Sequence, residues 1–269
     1  MLLAAGGALA HATVAHAAVV EQSFAYADGD TPLEGYVAYD DAISGARPGV
    51  LVIHQWMGLT DYEKMRCRML AELGYVAFAA DVYGKGVRPT TMEGASAEAG
   101  KYYGDRALLR HRVGVALEWL AGKHDPAGKD GGAFAHVDHQ KVAAIGYCFG
   151  GGAALELARS GADLAGVVSF HGSLDTPDPA DAKNIRCPLL VLHGADDPYV
   201  PTDKVEGFIK EMRDAQVDYQ VVLYSGAVHS FTLQNAGDDP SKGAAYNAKA
   251  DARSWIAMKA FFAEIFGSH

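Results

Sequence analysis

The sequence predicts an α/β fold, a mostly parallel central sheet with helices on both faces, from three observations. Short β-rich runs alternate with helical stretches along most of the 269 residues. The runs at 50–53, 76–80 and 142–145 are continuously apolar, as strands buried on both faces must be. The 31 glycines suit a fold with many tight strand-to-helix turns.

Each element has a local reason. Residues 34–39 read as an early strand and 50–53 as the next. Thr60-Asp61-Tyr62-Glu63 is a capping box, in which the Thr60 hydroxyl and the Glu63 carboxylate satisfy opposing backbone N–H groups, so a helix starts there and stops at Gly74. A strand at 76–80 follows, with Asp81 capping the turn after it. The Gly/Pro stretch 84–89 interrupts the pattern, and helical spacing resumes over 95–103 and 105–121. Residues 122–138, with Pro126 and mixed charge, read as a surface loop within one domain. The strand 142–145 runs into Gly146-Tyr147-Cys148-Phe149-Gly150-Gly151, with a helix over 153–160. Strands at 164–169, 189–192 and 219–224, a helix over 202–215 and a final helix over 244–266 complete a single domain spanning 18–269.

Residues 1–17 carry no charged side chain. Residues 2–10 are long enough for the apolar core of a secretory leader, and Ala15-His16-Ala17 fits an A-x-A cleavage site, although a basic n-region is missing. A signal peptide, truncated at its start, and a periplasmic or secreted protein beginning at Ala18 are expected; the alternative is a cytoplasmic chain with an apolar tail. No later run approaches the ~18 apolar residues of a membrane span, so no membrane partner is expected. With 23 basic against 33 acidic residues, the net charge of -10 repels polyanions and argues against nucleic acid. The cysteines at 67, 148 and 187 form no C-x-x-C pair, so no metal framework is expected. Cys67 and Cys187 read as buried thiols, with a disulfide between them the alternative in an exported protein.

Three strand ends carry chemistry. Gly146-x-Cys148-x-Gly150-Gly151 is a nucleophile elbow with cysteine where serine is usual. The glycines let the chain turn sharply, and the helix N-terminus beyond favours the thiolate. After the strand at 189–192, Asp196 and Asp197 stand side by side, and either is placed to orient an imidazole. His229 follows the strand at 219–224, where the order nucleophile, acid, base puts the base. His229 would take the thiol proton and return it to the leaving group. The oxyanion donors would be the N–H of Phe149 and one from the His54-Gln55-Trp56-Met57-Gly58 loop. His54, His171 and His193 all stand at strand ends and are candidates for the pocket, although such histidines more often satisfy loop carbonyls. Tyr102, Tyr103, Trp119, Trp255, Phe261 and Phe262 lie at helical spacings and read as core; Trp56 and Phe149 are expected to wall an apolar pocket.

The motifs G-Y-C-F-G-G, G-A-D-D-P-Y-V-P, V-H-S-F and H-Q-W-M-G-L together make the sequence resemble the dienelactone hydrolase family, over residues 34–266. The resemblance implies the α/β-hydrolase fold and a Cys148, Asp197, His229 triad, with the acid four residues before the V-P proline. It places the second oxyanion donor on the Trp56 N–H. It also implies hydrolysis of small esters or lactones, no cofactor, and a monomer or small homo-oligomer.

Two positions depart from the family pattern. Gln55 stands where many members carry a glutamate facing the thiol. Leu233 stands where enzymes acting on dienelactone itself place an arginine for the substrate carboxylate. The reaction class is expected to survive, with uncharged esters preferred, and Gln55 and Leu233 are expected beside the nucleophile. Two other readings use the same residues: a thioesterase or amidase on the same triad, and a non-catalytic module whose exposed thiol senses oxidants.

Overall fold

The computed structural model describes residues 19–124 and 132–267; the predicted leader and its cleavage site lie outside the described residues. Among the described residues there are eight strands: β1 (Val19–Asp28), β2 (Thr31–Asp40), β3 (Arg47–Ile53), β4 (Val76–Ala80), β5 (Val137–Tyr147), β6 (Gly166–Phe170), β7 (Leu189–Gly194) and β8 (Tyr219–Tyr224). They form one sheet in the order β1-β2-β4-β3-β5-β6-β7-β8. The six strands from β4 to β8 in that order are parallel. The expected strand at 34–39 is β2; β1 and the antiparallel pairing of both with the sheet are additional to the expected pattern. The signal for β1 lay in Asp28-Gly29, a strong hairpin-turn pair, following Phe24 and Tyr26 at two-residue spacing. Asp28 pairs with Thr31 across that turn, and Gly29 adopts a φ of 54°.

Helices α1 (Asp61–Glu72) and α6 (Ala248–Phe266) cover one face of the sheet, while α2 (Met92–Gly104), α3 (Arg106–Leu120), α4 (Phe149–Arg159) and α5 (Thr202–Asp214) cover the other. The two-residue period of β3 divides its apolar run between them. Val50 and Val52 pack with Leu70, Met258 and Phe262, and Leu51 and Ile53 with Leu109, Val113 and Leu155. Cys67 and Cys187 lie in these separate cores and both are free, so the alternative disulfide is excluded by position.

Several boundaries differ from expectation, among them those of β5 and the last helix. β5 starts at Val137, inside the expected loop, after a short 3-10 turn at Ala133–His136. The last helix starts at Ala248 rather than 244, because the Asn247 side chain accepts the Ala250 N–H at 3.1 Å and caps it there. Residues 243–245 instead pair with His229: the His229 N–H donates to the Gly243 carbonyl at 3.1 Å, and its carbonyl accepts the Ala245 N–H at 3.0 Å.

Close packing of β5, α4 and β3 requires glycine at the elbow. A Cβ on Gly150 would lie 2.1 Å from the Ile53 carbonyl oxygen, and one on Gly146 1.9 Å from that of Gly150. α4 is anchored at its far end by the buried Arg159, whose Nε and one Nη reach the two Glu211 carboxylate oxygens at 2.8 Å each.

Candidate active site

Cys148 occupies the turn between β5 and α4 with φ 55° and ψ -117°, a left-handed conformation that a residue with a Cβ rarely adopts. The conformation is held from both sides. Its N–H donates to the Phe170 carbonyl at 3.0 Å and to His171 Nδ1 at 3.2 Å, and its carbonyl accepts the Gly151 N–H at 3.0 Å. The thiol therefore projects beyond the carboxyl ends of the parallel strands, at the N-terminus of α4.

His229 Nε2 lies 3.1 Å from Cys148 Sγ, and His229 Nδ1 lies 2.8 Å from Asp197 Oδ2. The other Asp197 oxygen accepts the N–H groups of Tyr199 at 2.9 Å and Val200 at 3.3 Å, which fixes the carboxylate plane. Burial alone would raise the Asp197 carboxyl, but the hydrogen bond and charge of His229 and the Tyr199 N–H outweigh it and hold it below the usual range. Burial disfavours the His229 imidazolium, yet the Cys148 sulfur and the Asp197 carboxylate prevail and push His229 up to about 10. The neighbouring Asp196 turns the other way, where its carboxylate accepts the Gly226 N–H at 3.1 Å on the exposed side of the loop.

The loop after β3 is pinned residue by residue. The Gln55 N–H donates to the buried Glu63 carboxylate at 3.2 Å; the Gln55 carbonyl accepts from Gly58 N–H at 3.1 Å and from His54 Nδ1 at 2.6 Å; the Trp56 carbonyl accepts the Tyr83 hydroxyl at 3.0 Å. In a trans peptide the N–H points opposite to the carbonyl, so fixing the Gln55 carbonyl also fixes the Trp56 N–H. Phe149, at the first position of α4, has an N–H without an intrahelical acceptor.

Cys148 and His229 open into a cavity of about 370 Å3 walled by Trp56, Met92, Tyr103, Ser173, Tyr199 and Val200. Met92 and Tyr199 are strongly exposed, at 69% and 62%, and so form its rim. No lysine or arginine lines it among the described residues.

Several side chains lie elsewhere than the sequence suggested. Gln55 and Leu233 line a neighbouring groove with Arg88 and Asn235, which shares Trp56 with the Cys148 cavity; neither side chain lines the cavity itself. The Gln55 backbone N–H is held toward Glu63. Phe149 is 1% exposed and packs into the core against Tyr83 and Tyr103, because the first turn of α4 faces α2 rather than solvent. Tyr103, read as core, packs against the core and also contributes to the wall; its hydroxyl bonds Ser173. Helical spacing alone could not separate a core ring from one that also edges a cavity.

The three strand-end histidines all serve backbone or loop groups. His54 donates from Nδ1 to the Gln55 carbonyl and accepts the Val82 N–H at Nε2, 3.2 Å away. Burial, only partly offset by the Gln55 carbonyl, pulls it down to about 4, so the ring is neutral as that pattern requires. His193 donates from Nε2 to the Val200 carbonyl at 3.0 Å. His171 accepts the Cys148 N–H but does not line the cavity. Among the described residues no group of three or more His, Cys, Asp or Glu side chains is arranged to hold a metal.

Comparison with known proteins agrees with this architecture. The sequence profile of the dienelactone hydrolase family matches residues 33–266. A dienelactone hydrolase-like promiscuous phosphotriesterase, P91, from metagenomic libraries is 42% identical, with 92% of this chain and 99% of that one aligned at a TM-score of 0.82. The structure named m3DLH is 38% identical, covering 92% and 98% of the two chains at a TM-score of 0.83. A Yersinia pestis protein provisionally named carboxymethylenebutenolidase is 28% identical over 243 residues, 86% of this chain and 84% of its own.

Proposed function

Because the chain belongs to the dienelactone hydrolase family and is a carboxylic ester or lactone hydrolase, we propose that it cleaves small uncharged esters and lactones through a thioester on Cys148. The observation that carries this reading is the unbroken line from Asp197 through His229 to the Cys148 sulfur, at 2.8 and 3.1 Å, opening into a cavity without basic side chains.

His229, 3.1 Å from the sulfur, takes the thiol proton and so generates the thiolate. The thiolate attacks the carbonyl carbon, and the electron pair of the C=O bond moves onto oxygen, where the Trp56 and Phe149 N–H groups receive it. Collapse breaks the C–O bond, and His229 gives its proton to the departing alkoxide. For a lactone, that alcohol stays attached to the acyl chain. Water then enters, His229 removes its proton, and the resulting hydroxide attacks the thioester and expels the Cys148 thiolate. Asp197 stays ionised throughout and holds the imidazole with Nε2 toward sulfur.

The test is hydrolysis of p-nitrophenyl acetate and butyrate by wild type and Cys148→Ala, with intact-mass detection of an acylated enzyme early in turnover. Activity in Cys148→Ala, or an acyl group on a peptide lacking Cys148, would overturn the reading. Including a thioester and an anilide in the same assay ranks the acyl substrates.

A second reading is favoured by the 42% identical relative named as a promiscuous phosphotriesterase. The same thiolate would attack phosphorus in an aryl phosphotriester, the aryloxide would leave with the His229 proton, and water would cleave the P–S bond. Its signature is a phosphorylated Cys148 in the mass spectrum.

A further inference from the structure

His171 is fully buried at the end of β6, with φ 39°, and its ring has two partners that belong to two different parts of the site. Nδ1 accepts the N–H of Cys148 at 3.2 Å, so that nitrogen carries no proton and Nε2 is the protonated one. Nε2 lies 2.8 Å from the hydroxyl of Thr232, which is 1% exposed and sits on the same loop as His229. The Thr232 hydroxyl continues to the Tyr62 hydroxyl at 2.6 Å, and the Tyr62 oxygen accepts Arg66 Nε–H at 3.1 Å. Arg66, buried among the rings of Tyr62, Tyr147 and Trp255, also donates to the Thr232 carbonyl at 3.2 Å and to Asp251 at 2.7 Å. Helix α1 thus holds the Thr232 end of the base loop by side chain and by backbone.

We propose that His171 and Thr232 are a positioning pair, a neutral imidazole and a hydroxyl that tie the backbone of the nucleophile elbow to the loop carrying the base and so set the separation of Cys148 and His229. The inference rests on the proposed thiol reading of the site. Neither side chain lines the cavity, so neither meets substrate. Their effect is transmitted by geometry. The His171 ring stands edge-on to His229, centroids 5.4 Å apart, and to Phe231, 5.0 Å apart. It can approach His229 so closely only while uncharged. Burial and the charges of His229, His193 and Arg66 around it all hold it in that state.

The residue choices fit this task. At positive φ, histidine is among the side chains with a Cβ that are tolerated best. Valine at 232 would fill the same space but leave the His171 Nε2–H and the Tyr62 hydroxyl without each other's bridge.

The experiment compares Thr232→Val with Thr232→Ser, which keeps the hydroxyl, and carries Cys148→Ala as control. Thr232→Val is expected to lower kcat about tenfold, since small misplacements of reacting groups have effects of that order or larger. KM should change less than twofold, roughly, because substrate contacts are untouched. The iodoacetamide alkylation rate of the resting enzyme should fall, because a loosened Cys148–His229 pair passes the thiol proton to the imidazole less readily. Thr232→Ser should restore both. A Thr232→Val enzyme that loses thermal stability but keeps the wild-type kcat and alkylation profile would overturn the proposal, as would a serine variant as impaired as the valine one. If Thr232→Val does not fold, His171→Asn carries the test: it keeps an acceptor for the Cys148 N–H but cannot reach Thr232. Wild-type kcat and alkylation in that variant would equally overturn the pairing. Activity in Cys148→Ala identifies the separate case in which the thiol reading itself fails.

Discussion

Glu63 accepts the backbone N–H of Gln55 with one carboxylate oxygen, at 3.2 Å, while its other oxygen takes the Thr60 N–H and hydroxyl at 2.8 and 2.7 Å. One buried carboxylate therefore serves both the cap of α1 and the loop that presents the Trp56 N–H. Substituting Glu63→Gln leaves one acceptor oxygen and turns an NH2 group toward backbone donors. We expect a stability loss of about 1–2 kcal/mol by guanidinium unfolding, from the impaired cap and an unpaired buried donor. We also expect a fall in kcat larger than any rise in KM, because the loop proposed to supply an oxyanion donor loses its anchor. Unchanged kcat in a measurably destabilised variant would show that the Trp56 peptide holds its position without Glu63.

Removal of the thiol or the imidazole, by Cys148→Ala or His229→Ala, is expected to lower kcat by about 10^3-fold or more, since nucleophile and base act as a unit. Asp197→Asn should cost somewhat less in rate, by mis-setting the His229 tautomer while keeping shape. The control is Asp196→Asn. Its carboxylate faces Gly226 on the exposed side of the loop, so activity within about twofold of wild type is expected. An Asp196 variant as damaged as the Asp197 one would mean that the loop rearranges in solution.

Chain order made the meeting of Cys148, Asp197 and His229 readable, because each follows its own strand and parallel strands deliver their ends to one edge. The pair Asp196-Asp197 could not be separated by local pattern; only the backbone turn decides which carboxylate is buried. The direction of the Phe149 ring was not legible for a related reason. Placing a backbone N–H at the site says nothing about where the side chain goes, and this ring packs into the core against Tyr83 and Tyr103. Thr232 carried no sequence signal, since its partners His171 and Tyr62 are 61 and 170 residues away. The β1 hairpin was missed because much of that edge strand is exposed and lacks the continuous apolar run of the inner strands.

The raised proton affinity of His229 sets an alkaline limit. Its imidazolium should persist until about pH 10, so kcat/KM against pH is expected to fall on the alkaline side near that value, where no proton remains for the leaving group. Asp197 is one source of the shift, so Asp197→Asn should move the limb to lower pH. Stability follows the same sign. A histidine raised in the folded state contributes fully below its unfolded value of about 6.5 and loses that contribution as pH rises through the folded value. The stability difference between wild type and Asp197→Asn should therefore shrink between pH 7 and 10. A difference that grows over that interval would contradict the assigned ionisation.

The charge of the substrate is the last property the cavity constrains. A free carboxylate on the substrate needs a cation or several N–H donors, and a hydrogen bond involving a charged group is worth ~1.5–3 kcal/mol. The cavity wall supplies no lysine or arginine among the described residues. Two arginines lie near enough to consider. Arg88 is already engaged, with Asp81 at 3.2 Å and the carbonyls of Gly84 and Val87 at 3.2 and 2.8 Å, and diverting it would leave the buried Asp81 underpaired. Arg106 stacks over the Tyr103 ring at 4.6 Å, and its buried Nε and one Nη have no hydrogen-bond partner. It stands behind a ring that walls the cavity without lining the cavity itself. A neutral aryl ester should therefore exceed its carboxylate-bearing analogue in kcat/KM by about tenfold or more, the equivalent of one absent charge-assisted contact. Arg106→Met should leave that ratio unchanged. If the anion were preferred, and the preference vanished in Arg106→Met, Tyr103 would have to move aside on binding and Arg106 would be the group that receives the carboxylate.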